Sequence, residues 1–427
     1  MQKEHDVFVD IKKKIYESIE SGNVEEALRL LNAFADTTNH DQLYQAAELY
    51  YELGHVDKAR PLIEQLLELY PDEGELYVLA AEMMIDADQE DEAIEYLLEI
   101  GENDPSFLQA QLLLADLYQL QSLDEAAEQR LLAAQKKAPN EVIITYALGE
   151  FYLEQGSYNK AIPYLKQALH AKEELGDINV GLALAEAYGA NGQFEDALLL
   201  YHQQKQNELP PNALFNFGFT AFQQGDYTVA IEQLEAVKTL DPDFTSVYVP
   251  LARAYEAEKR YEEAFETLAA GMRMDEFNDA LPLLAGKLLY KQQDFVGAEQ
   301  YLRQAIALNP TNTEALQTLA AFLREQERFD ELLELVEHAK SYGETDALLV
   351  WYEALAHKEL EYYETAREKY KEAYIAFHED ADFLSEYGHF LLEEGERNKA
   401  VELFQKALQQ SPERSDLSEL LDELQAE

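Results

Sequence analysis

Residues 91–105, "DEAIEYLLEIGENDP", decide the fold, because the chain repeats their pattern along most of its length. Similar segments are "TVAIEQLEAVKTLDP" (228–242), "VGAEQYLRQAIALNP" (296–310) and "NKAVELFQKALQQSP" (398–412), each with Ala in third place and Pro twelve residues later. The full set of these alanines is Ala27, Ala59, Ala93, Ala127, Ala161, Ala197, Ala230, Ala264, Ala298, Ala366 and Ala400, with Leu332 in the one remaining copy. They follow each other at steps of 32 to 36 residues, most often 34. A fixed period of this size predicts stacked helix–turn–helix units.

A second pattern lies upstream of each alanine. The segments "YALGEFY" (146–152), "VPLARAY" (249–255) and "SEYGHFL" (385–391) place a small residue twelve positions before the Ala and a large one nine before it. The two patterns together resemble the tetratricopeptide repeat (TPR). That resemblance implies an all-α fold, a right-handed TPR superhelix (α-solenoid) of about twelve helix–turn–helix repeats with a C-terminal capping helix.

The repeats assign roles to small residues and to prolines. We expect the small residues where the first helix (helix A) and second helix (helix B) of a repeat cross closely. Proline should end helix B, at Pro71, Pro105, Pro139, Pro242, Pro310 and Pro412.

The predicted organisation follows the repeat register. Residues 1–39 form a degenerate first repeat, 40–177 hold repeats 2 to 5, 178–210 hold repeat 6, 211–414 hold repeats 7 to 12, and 415–427 form the capping helix. The widest step, of 36 residues around 172–180, predicts a longer loop, with a slight change in curvature as the alternative.

Composition excludes several classes of protein. The 427 residues carry a formal charge of −52, yet 47% are apolar and 11% aromatic, which is enough to form a core. With no cysteine, disulfides and thiolate metal sites are excluded. The first residues lack the apolar region of a signal peptide, and no run approaches the roughly 20 apolar residues of a membrane helix. We therefore expect a cytoplasmic protein that avoids membranes and direct nucleic-acid contact, since both surfaces are anionic.

The acids are distributed unevenly. From Pro61 to Gln129 the chain has 19 Asp or Glu and no Lys or Arg. Acids just before the repeat alanine, such as Asp91 and Glu92, occupy the first turn of helix B, where the helix dipole stabilises them by about 0.3–1 kcal/mol each.

A second group of acids has no such explanation. The TPR resemblance implies that helix A lines a concave groove, and the position after the small residue should point into it. Repeats 2 to 6 all carry an acid there: Glu48, Glu82, Asp116, Glu150 and Glu186. A solvated face on an acidic protein is the alternative, but the regularity favours a binding surface for a basic segment.

Apolar side chains are expected beside these five acids. Positions facing the same groove hold Tyr44, Tyr51, Val78, Ile85, Leu112, Tyr146, Leu153 and Leu182. Such a surface would suit the apolar stems of Lys and Arg.

The seventh repeat differs from the others. Its segment "NALFNFGFTAF" (212–222) puts Phe215, Phe219 and Phe222 on one helix face, with Phe217 at the core position. These three rings form either an apolar pocket for a partner helix or packing against the next repeat.

No motif for catalysis or for a cofactor accompanies these patterns. Phosphate-binding, dinucleotide-binding and nucleophile-elbow motifs are missing, and the nine histidines lack metal-ligand spacing. We therefore predict a non-enzymatic protein–protein interaction scaffold, without cofactor or metal, for a basic protein or segment, such as that of a nucleic-acid-handling protein. The alternatives are an assembly factor that binds an apolar helix or nascent chain through Phe215, Phe219 and Phe222, and an enzyme. Oligomeric state stays open.

Overall fold

The computed structural model describes residues 13–18, 21–171, 174–176, 178–205 and 209–426. The described part is 78% helical and contains 25 α-helices. It divides into two compact units, Met1–Gln204 and Lys205–Glu427. The start of the predicted first repeat, and with it most of the segment used to judge a signal peptide, lies outside the described residues.

The helices follow each other in pairs. Unit 1 contains 13–18 (α1), Val24–Ala35 (α2), His40–Glu52 (α3), Val56–Leu69 (α4), Gly74–Asp86 (α5), Glu90–Leu98 (α6), Phe107–Leu120 (α7), Asp124–Lys137 (α8), Val142–Glu154 (α9), Tyr158–Ala171 (α10), Val180–Ala190 (α11) and Phe194–Gln203 (α12), with strands Glu174–Leu175 (β1) and Ile178–Asn179 (β2). Unit 2 contains Pro211–Gln224 (α13), Tyr227–Leu240 (α14), Tyr248–Ala257 (α15), Tyr261–Met274 (α16), Ala280–Lys291 (α17), Phe295–Leu308 (α18), Thr313–Glu325 (α19), Phe329–Ser341 (α20), Ala347–Glu359 (α21), Tyr363–Phe377 (α22), Ala381–Glu393 (α23), Arg397–Gln410 (α24) and Ser415–Ala426 (α25), with a 3₁₀ turn at Thr245–Val247. Odd-numbered helices from α1 to α23 are helix A and even-numbered ones helix B.

The repeat alanines form the core of each pair. All eleven are buried in helix B, and Leu332 is buried in the same place. Burying a methyl group at every helix crossing lets the two backbones approach closely, so the 34-residue period predicted from sequence is confirmed.

The small residues of helix A lie at the crossing itself. A methyl group added at Gly149 would come within 2.7 Å of Leu165, and one added at Gly388 within 2.5 Å of Phe404. Both contacts join helix A to helix B of one repeat, as the sequence predicted.

Each helix pair is joined by the same turn. The residue five positions before the repeat alanine has a positive φ in all twelve described repeats, from Gly22 (75°) to Gly395 (77°). Six of these positions are not glycine, among them Lys259, Gln293 and Glu361. The left-handed conformation is therefore demanded by the turn, whichever residue occupies it.

Two local predictions need correction. The predicted loop near 172–180 contains a short antiparallel hairpin, in which Glu174 pairs with Asn179 and Leu175 with Ile178. Gly176 supplies the positive φ of 65° for its turn. Pro105 does not end helix B of repeat 3, because α6 already ends at Leu98. The other prolines, such as Pro139 and Pro242, each lie two residues beyond a helix end.

Each unit has its own core. One cluster extends from Ile15 to Leu117 in unit 1, and another from Leu283 to Leu421 in unit 2. Helix α25 adds Leu417 and Leu421 to the second cluster, so it closes the apolar end of repeat 12. Within the described ranges, every helix is too short or too polar to cross a membrane.

Candidate functional site

The five predicted acids lie on successive A helices of unit 1. Asp116 and Glu186 are exposed, whereas Glu48, Glu82 and Glu150 are half-buried. Successive A helices also touch, as α5 does α7 and α9 does α11. We call the surface formed by Glu48, Glu82, Asp116, Glu150 and Glu186 the acidic face.

Neighbouring acids of this face are close enough to repel each other. Desolvation raises the pKa of Asp116 and of Glu82 most, and the charges of Glu150 and Glu154 add to the first shift as that of Asp86 adds to the second. Glu186 acts in the same way on Tyr146, from the next repeat. Of the five acids, Asp116 and Glu150 therefore lie close enough to interact between repeats, and Glu186 acts on the neighbouring Tyr146.

The surroundings of Asp116 shift its pKa strongly. Desolvation, followed by the charges of Glu150 and Glu154, raises its pKa to about 6. The side chain nevertheless keeps an exposed surface, so neighbouring atoms surround it without covering it. Asp116 has no hydrogen-bond or ion-pair partner among the described residues.

The other two central acids are held by neutral donors. Gln109 Nε2 donates to Glu82 Oε1 at 3.2 Å, and the Tyr146 hydroxyl donates to Glu150 Oε1 at 2.7 Å. Desolvation raises the pKa of both carboxyl groups. In the described part of the chain, neither is within salt-bridge distance of a Lys or Arg, so their charge is not neutralised internally.

Tyrosines line the same side of unit 1. The Tyr51 hydroxyl donates to Asp86 Oδ2 at 2.6 Å, and the carboxylates of Glu48 and Glu75 lie close enough to Tyr44 to affect its pKa. Desolvation and these carboxylates raise the pKa of both phenols. Desolvation and the charges of Glu52 and Glu48 likewise raise the pKa of Tyr16 in α1.

The repeat pattern did not identify three acids of this surface. Glu75, Asp86 and Glu154 contact or perturb the predicted site residues. Asp86 lies four residues after Glu82, and Glu154 four residues after Glu150, in each case on the same helix face. That spacing was the signal that could have identified them.

Two predicted surface residues are buried and need correction. Val78 and Tyr146 are each only 5% exposed. The side chains of Val78 and Tyr146 are buried between helices, because these positions also face the neighbouring repeat. Tyr146 thus reaches the acidic face only through its hydroxyl. Tyr44, Tyr51, Ile85, Leu112, Leu153 and Leu182 are half-buried.

Unit 2 presents an aromatic row instead of an acidic one. The rings of Phe215 and Phe219 stack with centroids 5.9 Å apart, and those of Phe219 and Phe222 at 6.5 Å. Phe219 is 40% exposed, whereas its two neighbours are half-buried. Phe215 also packs 5.1 Å from Phe244, beyond its own helix pair. Phe217 is fully buried, as predicted for a core position.

Cations are engaged within unit 2. Arg328 bridges Glu299 and Glu331 with contacts of 2.6 Å, and Arg367 bridges Glu394 and Glu396. Across the described residues, no group of three or more His, Cys, Asp or Glu is arranged to hold a metal ion.

Comparison with known proteins places these features in a family. A family described as YpiA-like, C-terminal tetratricopeptide repeats matches residues 348–414, and one described as YpiA-like, tetratricopeptide repeats matches 119–173. General tetratricopeptide-repeat matches cover 152–208, 221–286 and 289–349.

One curated relative agrees with the family matches, and two solved structures are also similar to this chain. The TPR repeat-containing protein YpiA of Bacillus subtilis (strain 168) is 42% identical over 403 residues, which cover 94% of this chain and 95% of that protein. The solved APC/C hetero-tetramer Cut9–Hcn1 is 13% identical, with a TM-score of 0.40, over 98% of this chain and 96% of the other. The TPR protein YrrB is 14% identical, with a TM-score of 0.39, over 44% of this chain and 96% of the other.

The helical structure and the tetratricopeptide-repeat family matches confirm the all-α TPR array predicted from the repeat pattern. TPR repeats are typical of protein–protein interaction scaffolds, which are generally non-catalytic. With 42% identity over nearly the whole length of both proteins, the chain belongs to the YpiA-like family of tetratricopeptide-repeat proteins.

Proposed function

We propose that this protein is a non-enzymatic scaffold whose acidic face in unit 1 binds a basic segment of another protein. Carboxylates on one wall raise the local concentration of a cationic partner and speed its association. Proteins that handle nucleic acid commonly expose basic segments, so we propose them as the partner class. A cytoplasmic location is part of the same proposal.

The environment of the Asp116 carboxylate is the observation that supports this proposal most directly. Its carboxylate is exposed and lacks a partner among the described residues, and desolvation followed by the charges of Glu150 and Glu154 disfavours its charged form. A Lys or Arg side chain placed beside these three acids would relieve their repulsion and gain charge-assisted hydrogen bonds. Further along unit 1, Tyr51 lies beside Asp86 and Glu82 and offers ring surface for the apolar stem of another basic side chain of the segment.

A binding measurement tests the proposal. A fluorescent octapeptide of Lys and Arg should bind the full chain at low ionic strength and weaken steeply as salt rises. Glu82→Gln, Asp116→Asn and Glu150→Gln combined should weaken binding by about tenfold, mainly through a slower on-rate. The matched control combines Glu68→Gln, Glu95→Gln and Glu125→Gln, three exposed acids of B helices in the same unit. Equal loss in both triple variants would show that only net charge matters, which contradicts a localised site.

The aromatic row of Phe215, Phe219 and Phe222 supports a second candidate function. A large ring that stays 40% exposed beside two stacked neighbours is an apolar surface available to a partner. In this alternative the protein is an assembly factor that binds an apolar helix or nascent chain. Binding would then resist salt and be lost in Phe219→Ser, whereas the acidic-face triple variant would bind normally. Enzymatic activity has no supporting constellation among the described residues.

A further inference from the structure

Helix α13 of unit 2 is the only α-helix in the described chain without a charged side chain, although 28% of all residues are charged. It carries the aromatic row of Phe215, Phe219 and Phe222, in which Phe219 is 40% exposed. The two outer rings are held by neighbours, because Phe215 packs 5.1 Å from Phe244 and Phe222 packs 5.8 Å from Tyr227. The row is therefore a neutral apolar surface with its central ring open to a partner.

Arg253 occupies the equivalent place in the following repeat. Phe219 and Arg253 each stand eleven residues before the repeat alanine of their helix pair, and their helices α13 and α15 are in contact. In unit 1 the same position of successive repeats holds Asp116 and Glu150, which lie close enough for Glu150 to raise the pKa of Asp116. The shared packing of A helices thus places Arg253 beside the exposed Phe219 ring.

The guanidinium group of Arg253 is left without a partner among the described residues. Arg253 is exposed and makes no ion pair or hydrogen bond with any of them. The other Lys and Arg residues of the A helices in unit 2 are all within salt-bridge distance of an acid: Lys287 of Glu314, Lys291 of Glu256, Arg324 of Glu386 and Lys358 of Glu393. Since the chain has 85 acids and only 33 bases, an unpaired arginine next to an exposed ring points to a carboxylate from outside.

We propose that the aromatic row and Arg253 together bind an acidic, apolar segment of a partner protein. A bulky apolar side chain of the segment would cover the Phe219 ring, and a carboxylate side chain would form a charge-assisted pair with the guanidinium group of Arg253. A neutral segment would desolvate Arg253 without giving it a partner, and a basic segment would meet like charge. Charge complementarity therefore selects an acidic segment.

This inference rests on the second candidate function, in which the aromatic row binds an apolar partner, and it specifies the charge of that partner. It does not depend on the acidic face of unit 1, which would repel an acidic segment. The two surfaces would hold segments of opposite charge, so binding at each can be measured with its own peptide.

Binding of fluorescent peptides to the full chain tests the inference. The acidic peptide is Ser-Leu-Phe-Glu-Glu-Leu-Leu-Ser with both termini blocked, measured at about 0.15 M ionic strength, where long-range repulsion by the protein is largely screened. Replacing both Glu by Gln should weaken binding about three- to fivefold. Replacing Leu and Phe by Ser should abolish it. Equal binding of the acidic and the Gln peptide would overturn the inference and leave an apolar site intact, whereas binding of neither would overturn the second candidate function as well.

Substitutions at exposed positions locate the two contacts. Arg253→Gln should weaken binding of the acidic peptide about three- to fivefold and leave the Gln peptide unchanged, because only the ion pair is lost. Phe219→Ser should abolish binding of both peptides. The matched control is Arg273→Gln, which removes the same charge from an exposed position of α16, helix B of the same repeat, and should leave both affinities unchanged. Equal weakening of the acidic peptide by Arg253→Gln and Arg273→Gln would show that only net charge matters and would overturn the assignment to Arg253.

Discussion

The indole nitrogen of Trp351 donates a 2.7 Å hydrogen bond to Oε1 of Glu386, across two repeats of unit 2. The same oxygen accepts from the Tyr370 hydroxyl at 3.0 Å, and Oε2 pairs with Arg324 at 3.0 Å. Burial raises the pKa of Glu386, and these three donors partly offset the rise. One carboxylate thus joins four helices, α19, α21, α22 and α23.

Removing this carboxylate should destabilise unit 2. Glu386→Ala leaves the donors of Trp351, Tyr370 and Arg324 without their acceptor, and we expect a loss of about 3–5 kcal/mol in the free energy of unfolding. Urea denaturation followed by Trp351 fluorescence measures it. Glu393→Ala removes an exposed acid from the same helix and should change stability by about 0.5 kcal/mol or less. Equal effects of the two variants would mean that the network contributes nothing special.

The acidic face should leave a signature in the pH dependence of stability. The pKa of Asp116 is about 6 in the folded chain and 3.8 as its reference. Between these values the folded state binds more protons than the unfolded state, so the contribution of Asp116 to stability falls as pH rises from about 4 to about 6.

Asp116→Asn should remove that fall. At pH 7 the variant should be more stable than the natural chain, by about 1 kcal/mol or less, because water screens an exposed charge. Below about pH 3 the difference should vanish, since the acid is then mostly protonated in both states. Thermal denaturation across this pH range checks both expectations, and a variant that melts earlier at pH 7 would contradict them.

The left-handed turn offers a stabilising substitution. Gln293 has φ of 66°, a conformation that an L-residue with a side chain adopts at a penalty. Gln293→Gly should raise the free energy of unfolding by about 0.5–1 kcal/mol. Gln292→Gly is the control, because its φ is −84°, and should be destabilising. Both are measured by urea denaturation, and loss of stability in Gln293→Gly would refute the turn argument.

The close crossing within repeat 12 should tolerate no extra methyl group. In Gly388→Ala the new Cβ would lie 2.5 Å from the Phe404 ring, and we expect a loss of about 1–3 kcal/mol from overpacking. Gly101→Ala adds the same methyl where nothing lies within 4 Å, so it should be nearly neutral. The melting temperatures of the two variants test this expectation. If the melting temperature of Gly388→Ala were unchanged, the two helices could move apart without cost.

Sequence predicted most of the fold because every copy repeats the same environments. Ala93 and Ala230 are buried alike, and Gly149 and Gly388 lie at equivalent crossings. The hairpin at 174–179 could not be predicted in this way, since an inserted pair of residues has no counterpart in other repeats.

The candidate site was predicted only where it follows the period. The acids at Glu82, Asp116 and Glu150 recur every 34 residues, so periodicity identified them. Asp86 and Glu154 do not follow this period, because each lies four residues after an acid of the same helix. Val78 was predicted to be on the surface and is buried, because one position can face both a groove and a neighbouring repeat. The contacts of Glu386 join residues of unequal spacing, which no repeat alignment relates.

The pairing of helices has a consequence for how the protein is made. In the described chain, all extensive contacts join helices that are one or two apart in sequence. Ordering such neighbours closes only short loops, so folding does not need to wait for distant segments. Early repeats can therefore become compact while later ones are still being synthesised. Unit 1, with its unneutralised acids, would then be exposed to cationic surfaces before unit 2 exists.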